Sequence, residues 1–228
     1  AARTVAPALF WKLGVTTLPY FNKPDGVNIN ADCGATHPEQ LQQLVLESGA
    51  DGGFAFDGDA GRLICVDEWG KVIDGDIVMA ICALDMKRSG TLAKDTLVAT
   101  VMSNLGMIRC LEKHDVKVVQ TDVGDRYVLE CMRKKGYNFG GEQSGHMIFL
   151  DENSTGDGLL SAIHVIAIMA KTGKSLSELS EVVTLYPQIL VNVEVDVQAK
   201  EGWREQEGVA AAIRHAEELS LIHIRRFR

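Results

Sequence analysis

Short apolar runs alternate with stretches of helical spacing over most of the chain, and this alternation limits the fold more than any other feature. Strands that alternate with helices of about 10–15 residues favour an α/β architecture with a largely parallel sheet. The apolar spacing predicts strands over 15–20, 54–56, 63–66, 72–73, 96–101, 116–121 and 188–195, and two short strands that flank 140–145. It predicts helices over 4–13, 36–49, 77–88, 104–114, 126–135, 157–171, 175–183 and 205–219.

Capping signals mark the starts of several of these helices. The pairs Thr36–Glu39 and Ser175–Glu178 have the spacing of a capping box, in which two side chains bond the free backbone groups of the first turn. Asp74 and Asp157 stand directly before apolar helical stretches and are interpreted as N-caps. The sequence therefore predicts not only the helices but also the residues that begin them.

The pattern of strands and helices starts afresh near Asp74, which predicts a domain boundary. We expect an α/β protein with two consecutive α/β/α domains, 1–73 and 74–184, whose sheets are mixed and mostly parallel. The segment 187–218 holds one predicted strand and one helix, too little for a core of its own, and is expected to be the truncated α+β start of a further domain. Residues 219–228 break the pattern and match what a common sequencing-library adapter encodes, so we expect a non-native tail.

Composition excludes some classes of function. The formal net charge is −8, from 31 acidic and 23 basic residues, which argues against nucleic-acid binding because that requires a basic face. No apolar run approaches the ~20 residues of a membrane span, and the first residues lack the apolar core of a signal peptide. The odd number of cysteines and the absence of a C-x-x-C pair predict reduced thiols in a cytoplasmic protein; they are Cys33, Cys65, Cys82, Cys110 and Cys131.

A loop with two carboxylates follows the predicted strand 54–56. Asp57 and Asp59 lie two residues apart, and Arg62 stands directly behind them. Hard oxygen ligands that converge on a loop suit Mg²⁺, and an adjacent arginine suits a phosphate group. Because Asp-Gly pairs are also ordinary turn residues, the loop by itself leaves open whether it binds a metal or only reverses the chain.

Two further loops combine glycine with polar residues. In the first, Gly124, Asp125 and Arg126 follow a strand and open a helix, so that backbone N–H groups and the arginine form a candidate anion site. The alternative is that Asp125 caps the helix and Arg126 is solvated. The hydroxyl of Ser103, at another strand end, lacks the G-x-S-x-G context of a hydrolase nucleophile.

The second loop lies between two short predicted strands and contains Glu142, Ser144 and His146. Glu142 and Ser144 can accept and donate hydrogen bonds to sugar hydroxyls, and His146 can carry charge near a phosphate. The alternative interpretation of this loop is a simple hairpin turn.

Taken together, these stretches resemble the α-D-phosphohexomutase family over nearly the whole chain to about residue 195. The stretches that carry the resemblance occur in the family's order and are Asn28-Ile-Asn30, Cys33-Gly-Ala-Thr36, 57–62, Val123-Gly-Asp-Arg-Tyr-Val128, Gly141-Glu-Gln-Ser-Gly-His146, Thr155-Gly-Asp-Gly158 and Pro187-Gln-Ile-Leu-Val-Asn192. The 123–128 stretch is most similar to the hexosamine branch of the family. Its members interconvert glucosamine 6-phosphate and glucosamine 1-phosphate on the route to cell-wall precursors.

The resemblance implies a function and a set of partners. A phosphoserine of the family's first domain exchanges its phosphoryl group with the sugar through a bisphosphate, with Mg²⁺ held by the loop that here contains Asp57 and Asp59. The resemblance assigns Arg62 to the catalytic centre beside the metal, and Glu142, Ser144 and His146 to the sugar hydroxyls. It also implies the second domain for 1–73, the third for 74–184, the start of the fourth for 187–218, and a homodimer as one possible assembly of the full-length enzyme.

The sequence departs from the family pattern in two ways. The serine loop and the phosphate clamp of the fourth domain have no counterpart here, so no residue is assigned as nucleophile and we expect the chain alone to be inactive. The third carboxylate of the metal loop is replaced by Gly61, which predicts weaker Mg²⁺ binding. Two alternatives stay open: a phosphoglucomutase or phosphomannomutase of the same superfamily, and a non-catalytic module that binds sugar phosphates.

Overall fold

A computed structural model of the chain describes residues 2–189, 202–203 and 206–226. Its helices are α1 (Ala2–Lys12), α2 (Glu39–Ser48), α3 (Gly75–Arg88), α4 (Leu105–Lys113), α5 (Asp125–Lys135), α6 (Gly158–Thr172), α7 (Leu176–Ser180) and α8 (Glu207–Arg226). Its strands are β1 (Gly52–Phe56), β2 (Leu63–Asp67), β3 (Val72–Ile73), β4 (Thr96–Thr100), β5 (Lys117–Thr121), β6 (Phe139–Gly141) and β7 (Met147–Phe149). Residues 1–187 form one compact unit and residues 188–228 a second.

Two sheets lie in the first unit. Strands β1, β2 and β3 form an antiparallel sheet in that order. The second sheet has the order β5-β4-β6-β7, in which β4 is parallel to both β5 and β6, and β7 is antiparallel to β6. The α/β class is confirmed, and the mostly parallel sheet is the second one. The first sheet is antiparallel because its strands are joined by short turns that leave no room for a crossover helix.

One hydrophobic core connects the two sheets. Its buried members include Leu63 and Ile73 from the first sheet, Leu97 and Phe139 from the second, and the buried face of α3. Val78, Met79 and Ala80 of α3 are all fully buried, so this helix is apolar on most of its surface and lies inside the unit. The predicted domain boundary at residue 74 stays a prediction, because the core continues across it.

Most of the predicted helix starts are confirmed. Asp74 and Asp157 accept hydrogen bonds from the N–H groups of Ile77 and Leu160, at 3.1 and 3.0 Å. The Ser175 side chain and Glu178 form the predicted capping box at α7. The sequence thus locates these helix starts correctly, because a cap satisfies backbone groups within its own turn.

Two local predictions are wrong. Residues 15–20 have no regular secondary structure, and their Leu18 and Tyr20 side chains are exposed. No strand in the described part of the chain pairs with this run, and a strand requires a neighbour for its backbone hydrogen bonds. The capping box at Thr36 does not form, because α2 begins at Glu39 after Pro38, which makes no side-chain cap.

The C-terminal unit contains α8. The strand predicted over 188–195 lies almost entirely outside the described residues. Helix α8 extends to Arg226, beyond the predicted end at residue 219, and the origin of residues 219–228 stays a prediction. No helix within the described residues is both long and apolar enough to cross a bilayer.

Candidate functional site

The loop between β1 and β2 holds its two carboxylates in a fixed arrangement. Asp57 Oδ1 accepts a hydrogen bond from the N–H of Arg62, and Asp59 Oδ1 accepts one from the N–H of Gly61, both at 3.0 Å. Ala60, which directly follows Asp59, has a φ of 66°, in the left-handed region. Backbone N–H groups of the loop itself therefore orient one oxygen of each carboxylate.

The two carboxylates also influence each other. The N–H of Gly61 is the main cause that lowers the pKa of Asp59, and the adjacent Asp57 side chain and the charge of His146 contribute in the same direction. The guanidinium of Arg62 lies near the other Asp57 oxygen, with Nε 3.8 Å from Oδ2. The lowered pKa of Asp59 favours its charged form, and the Arg62 guanidinium lies at the Asp57 side of the pair.

The acidic loop offers a divalent cation two protein ligands, the carboxylates of Asp57 and Asp59. No group of three or more His, Cys, Asp or Glu side chains among the described residues is arranged to hold a metal. Mg²⁺ is commonly bound through one or two carboxylates, with waters and substrate phosphate as its other ligands. The adjacent carboxylates of Asp57 and Asp59 suit that coordination, while Gly61 offers no side-chain ligand.

The loop between β6 and β7 presents the second group of predicted site residues. The N–H of Glu142 donates to the carbonyl of His146 at 2.9 Å, and the N–H of Gly145 donates to the carbonyl of Glu142 at 3.0 Å. This tight turn leaves Ser144 exposed at its tip. The loop is thus a hairpin turn, as its alternative interpretation expects, and the binding role of its side chains stays a prediction.

The structure brings the two loops together. Arg62 and His146 form an isolated antiparallel β-bridge, and the N–H of Leu63 donates to the carbonyl of Gly145 at 3.0 Å. The side chain of Glu142 accepts a hydrogen bond from the N–H of Gly124 at 3.0 Å, which joins the start of α5 to the same place. Three stretches that are far apart in the sequence therefore meet at one end of the two sheets.

His146 lies at the centre of this arrangement. Its Nε2 atom is buried and has no hydrogen-bond partner within the described structure, and the nearest carboxylate oxygen, Asp125 Oδ2, is 3.9 Å away. The ring also packs against Gly156, where an added Cβ would lie 1.8 Å from Nε2. A buried ring nitrogen without a partner costs free energy unless a ligand or water completes it.

Arg126 does not point into this cluster. Its Nε donates to Glu130 Oε1 at 2.8 Å along the surface of α5, and its side chain is exposed. This hydrogen bond raises the pKa of Arg126 above its ordinary value. The helix start at Gly124 is instead occupied by the carboxylate of Glu142, so the anion site proposed for residues 124–126 stays a prediction.

Sequence reasoning missed several residues that hold the acidic loop in place. The N–H of Ala35 donates to the carbonyl of Phe56 at 3.2 Å, and the side chain of Ile29 packs against Gly58. On the other side, the N–H of Gly158 donates to the carbonyl of Ala60 at 2.8 Å. The stretches 28–36 and 155–158 contain motifs that resemble the family, but only the fold reveals that both contact this loop.

Comparison with known proteins supports the family that the motifs suggest. The family model described as phosphoglucomutase/phosphomannomutase, alpha/beta/alpha domain III, matches residues 74–186. A phosphoglucosamine mutase of Caldanaerobacter subterraneus subsp. tengcongensis is 54% identical over 217 residues, which are 95% of this chain and 48% of that protein. One of Geobacter sp. (strain M21) is 59% identical over 193 residues, 85% of this chain and 42% of that protein.

The chain is a homologue of the phosphohexomutases. It spans about half the length of the curated phosphohexomutase relatives that it matches. The similarity covers nearly all of the chain, so both candidate loops belong to the shared part.

Solved phosphohexomutase structures share the fold. A phosphoglucomutase/phosphomannomutase family protein of Burkholderia thailandensis has a TM-score of 0.71 at 27% identity, and covers 79% of this chain and 40% of its own. An N-acetylphosphoglucosamine mutase of Aspergillus fumigatus, solved with GlcNAc-6P and magnesium, has a TM-score of 0.59 at 24% identity over 73% of this chain and 40% of its own. The α/β architecture is therefore that of the phosphohexomutases.

Proposed function

We propose that this chain carries the metal loop and the sugar-binding loop of a phosphoglucosamine mutase, the isomerase that interconverts glucosamine 6-phosphate and glucosamine 1-phosphate. The observation that supports it most is the meeting of Arg62 and His146 across the β-bridge. This contact puts a loop of two carboxylates beside a polar turn, in a chain that is 54% identical to a named phosphoglucosamine mutase.

In this proposal Asp57 and Asp59 hold Mg²⁺. When bound, the ion polarises the phosphoryl oxygens and neutralises charge that develops during phosphoryl transfer. Arg62 keeps the Asp57 carboxylate oriented and offers its guanidinium, which is half-exposed, to the same phosphate. The magnesium and GlcNAc-6P bound to the Aspergillus fumigatus protein support these two ligand classes for the chain.

The turn over residues 142–146 orients the sugar. Ser144 is exposed at its tip and can exchange hydrogen bonds with ring hydroxyls. The buried Nε2 of His146 gains a partner when a phosphate or hydroxyl oxygen approaches. Glu142 holds the turn to the N–H of Gly124, so that these groups meet a ligand in one orientation.

A binding experiment tests the proposal on the chain itself. We expect calorimetry to detect the binding of glucosamine 6-phosphate to the chain in the presence of Mg²⁺. We expect this binding to be weaker when Ser144 is replaced by alanine. Competition titrations with glucose and mannose phosphates then distinguish the hexosamine enzyme from the other mutases of the superfamily. A preference for mannose phosphates would contradict the hexosamine assignment.

Activity requires a second experiment, because the chain spans about half of its relatives. In the Caldanaerobacter enzyme, the matching segment is replaced by residues 1–187 of this chain, and conversion of glucosamine 6-phosphate to glucosamine 1-phosphate is followed. We expect activity to be measurable, and to rise when Gly61 is also changed to aspartate. A chimera that folds and binds the sugar phosphate yet stays inactive with Gly61→Asp would favour the non-catalytic module.

A further inference from the structure

Two glycines that the proposed chemistry does not use lie unusually close to the two candidate loops. Gly75 is the first residue of α3, and a Cβ added there would lie 2.3 Å from the carbonyl oxygen of Glu142. The same Cβ would lie 2.7 Å from both the Gln143 carbonyl oxygen and the Gly145 nitrogen. The N–H of Gly75 donates to the carbonyl of Gln143 at 3.0 Å. The first turn of α3 is thus in backbone contact with the sugar loop.

Gly158 has the same relation to the acidic loop. It is the first residue of α6, and its added Cβ would lie 2.4 Å from the Arg62 carbonyl oxygen and 2.9 Å from that of Ala60. Its N–H donates to the carbonyl of Ala60 at 2.8 Å. One helix start therefore contacts each loop, and in both cases the contact is backbone to backbone.

These two positions require glycine because a side chain has no room there, and not because of the backbone conformation. Neither Gly75 nor Gly158 has a φ in the left-handed region, so an alanine could adopt either backbone conformation. Contacts of a Cβ below 3.0 Å essentially never occur, and backbone atoms cannot rotate away as a flexible side chain can. An alanine at either position must therefore displace the loop or the helix start.

The neighbouring caps keep the helix starts from moving. Asp74 accepts from the N–H of Ile77, and its other oxygen lies 3.4 Å from Gln143 Nε2. Asp76, fully buried, accepts from the N–H of Asn104 at 2.6 Å. Asp157 accepts from the N–H of Leu160 at 3.0 Å. With both helices packed in the core, the loops are the parts that yield.

We propose that Gly75 and Gly158 are positioning residues that separately set the sugar loop and the metal loop, each by a backbone contact that tolerates no side chain. In this proposal both residues act through the loop backbones and not by contact with the ligand. The inference rests on the proposed function for the ligands it names, but the contacts themselves do not depend on it.

The test uses the full chain with Gly75→Ala, Gly158→Ala and, as the matched control, Gly208→Ala. An added Cβ at Gly208 has open space around it. We expect Gly75→Ala to weaken the binding of glucosamine 6-phosphate at saturating Mg²⁺ by about tenfold or more, since a displaced turn loses hydrogen bonds to the ligand, while the Mg²⁺ affinity measured alone stays within about twofold. We expect the reverse for Gly158→Ala. If both variants lose both ligands equally, or neither loses any, the proposal is wrong.

Amide chemical shifts without ligand provide a second readout. In Gly75→Ala the largest changes are expected at residues 142–145, and in Gly158→Ala at residues 60–62. Changes confined to α3 or α6 would overturn the proposal, because they would show that the helix yields and the loop does not. If wild-type chain binds no sugar phosphate while the shifts follow this pattern, the proposed function fails for the isolated chain and the positioning role is supported.

Hydrogen exchange of the wild-type chain covers the case in which a variant does not fold. The N–H groups of Gly75 and Gly158 are first-turn amides, which lack partners inside their own helices. Protection of both amides, at the level of the strands beside them, is expected from their bonds to Gln143 and Ala60. Exchange as fast as in an exposed first turn would mean that the contacts do not persist, and would overturn the proposal.

Discussion

Gly61 is the residue that most affects the Mg²⁺ affinity that we expect for the acidic loop. The resemblance to the phosphohexomutases predicts a third carboxylate at its position, and the Asp57 and Asp59 carboxylates beside it accept hydrogen bonds from the loop backbone. A Cβ at this position would meet the Asp59 side chain, with Oδ1 at 3.3 Å and Cγ at 3.9 Å, and the residue has no left-handed φ. Asp59 is exposed and can shift by the few tenths of an ångström required. The loop can therefore accept an aspartate.

We predict that Gly61→Asp binds Mg²⁺ about tenfold more tightly than wild type or better, because ligand number and charge set the affinity of such sites. Calorimetric or NMR titration measures both dissociation constants. Gly61→Asn, which adds a side chain of the same shape without charge, is the control and should gain much less. Equal affinity of all three chains would mean that waters replace the missing ligand without loss.

Asp76 gives a second prediction at this scale. It is fully buried, and its Oδ1 has no hydrogen-bond partner in the described structure. Burial raises its pKa to about 6, and the bond from the N–H of Asn104 offsets this only in part. Because the folded state holds the proton more tightly than the unfolded state, this residue makes the protein less stable as pH rises from about 4 to about 6.

We therefore predict that Asp76→Asn gains stability relative to wild type as the pH rises from 4 to 7.5. The relative gain is about 3 kcal/mol, since each pH unit of pKa difference is worth about 1.4 kcal/mol. Denaturant unfolding at several pH values measures it. Asp25→Asn is a control of opposite sign, because the N–H groups of Val27 and Asn28 lower the pKa of Asp25. A pH-independent difference for Asp76→Asn would contradict the prediction.

Among the elements, α7 is held by a residue from the turn between β2 and β3. The carboxylate of Glu68 accepts from the N–H of Ser177 at 3.2 Å and from its hydroxyl. Burial raises the pKa of Glu68, but the hydroxyls of Ser175 and Ser177 outweigh it and the net shift is downward. The stabilisation is therefore present above the unfolded pKa, and is lost as pH falls through the lower folded pKa.

We predict that Glu68→Ala costs about 1 kcal/mol at pH 7, in line with one or two hydrogen bonds at a partly exposed site. The cost should shrink below pH 4. A double-mutant cycle with Ser177→Ala isolates the contact, and we expect a coupling free energy of about 0.5–1 kcal/mol. Additive effects would mean that the turn and α7 are held together by packing alone.

The elements also show how far local signals reach. Asp74, Asp157 and Ser175 were identified as caps from sequence, and each makes the expected bond. The Thr36 cap failed because Pro38 shifts the start of α2, so that Glu39 becomes its first residue and not its third. The strand over 15–20 failed because strand formation depends on a partner that no local sequence pattern specifies.

For the whole molecule, the shared core decides how the first unit unfolds. Leu63 and Ile73 of the antiparallel sheet and Leu97 of the parallel sheet belong to one cluster of buried residues. Elements that share a core lose the same contacts when either opens, so they are expected to open together. This expectation bears directly on the predicted boundary at residue 74.

We predict that amides in β2 and β4 exchange with the same free energy of opening in native-state hydrogen exchange. The value should equal the free energy of global unfolding, because both strands are buried along their whole length. Amides of β5, an edge strand of the second sheet, serve as the reference for faster local opening. A lower opening free energy for β1 to β3 than for β4 would instead support two domains that meet at residue 74.

The sequence by itself determined the α/β class, most helix starts and the identity of the polar loops, because periodicity, caps and glycine-bounded turns act over a few residues. Only the tertiary structure decided which of these loops and helix starts contact one another. It placed Arg62 beside His146 and brought Gly75 and Gly158 against loop backbones. These contacts join residues up to about 100 positions apart, and they depend on how helices and sheets pack around one core, which no local pattern specifies.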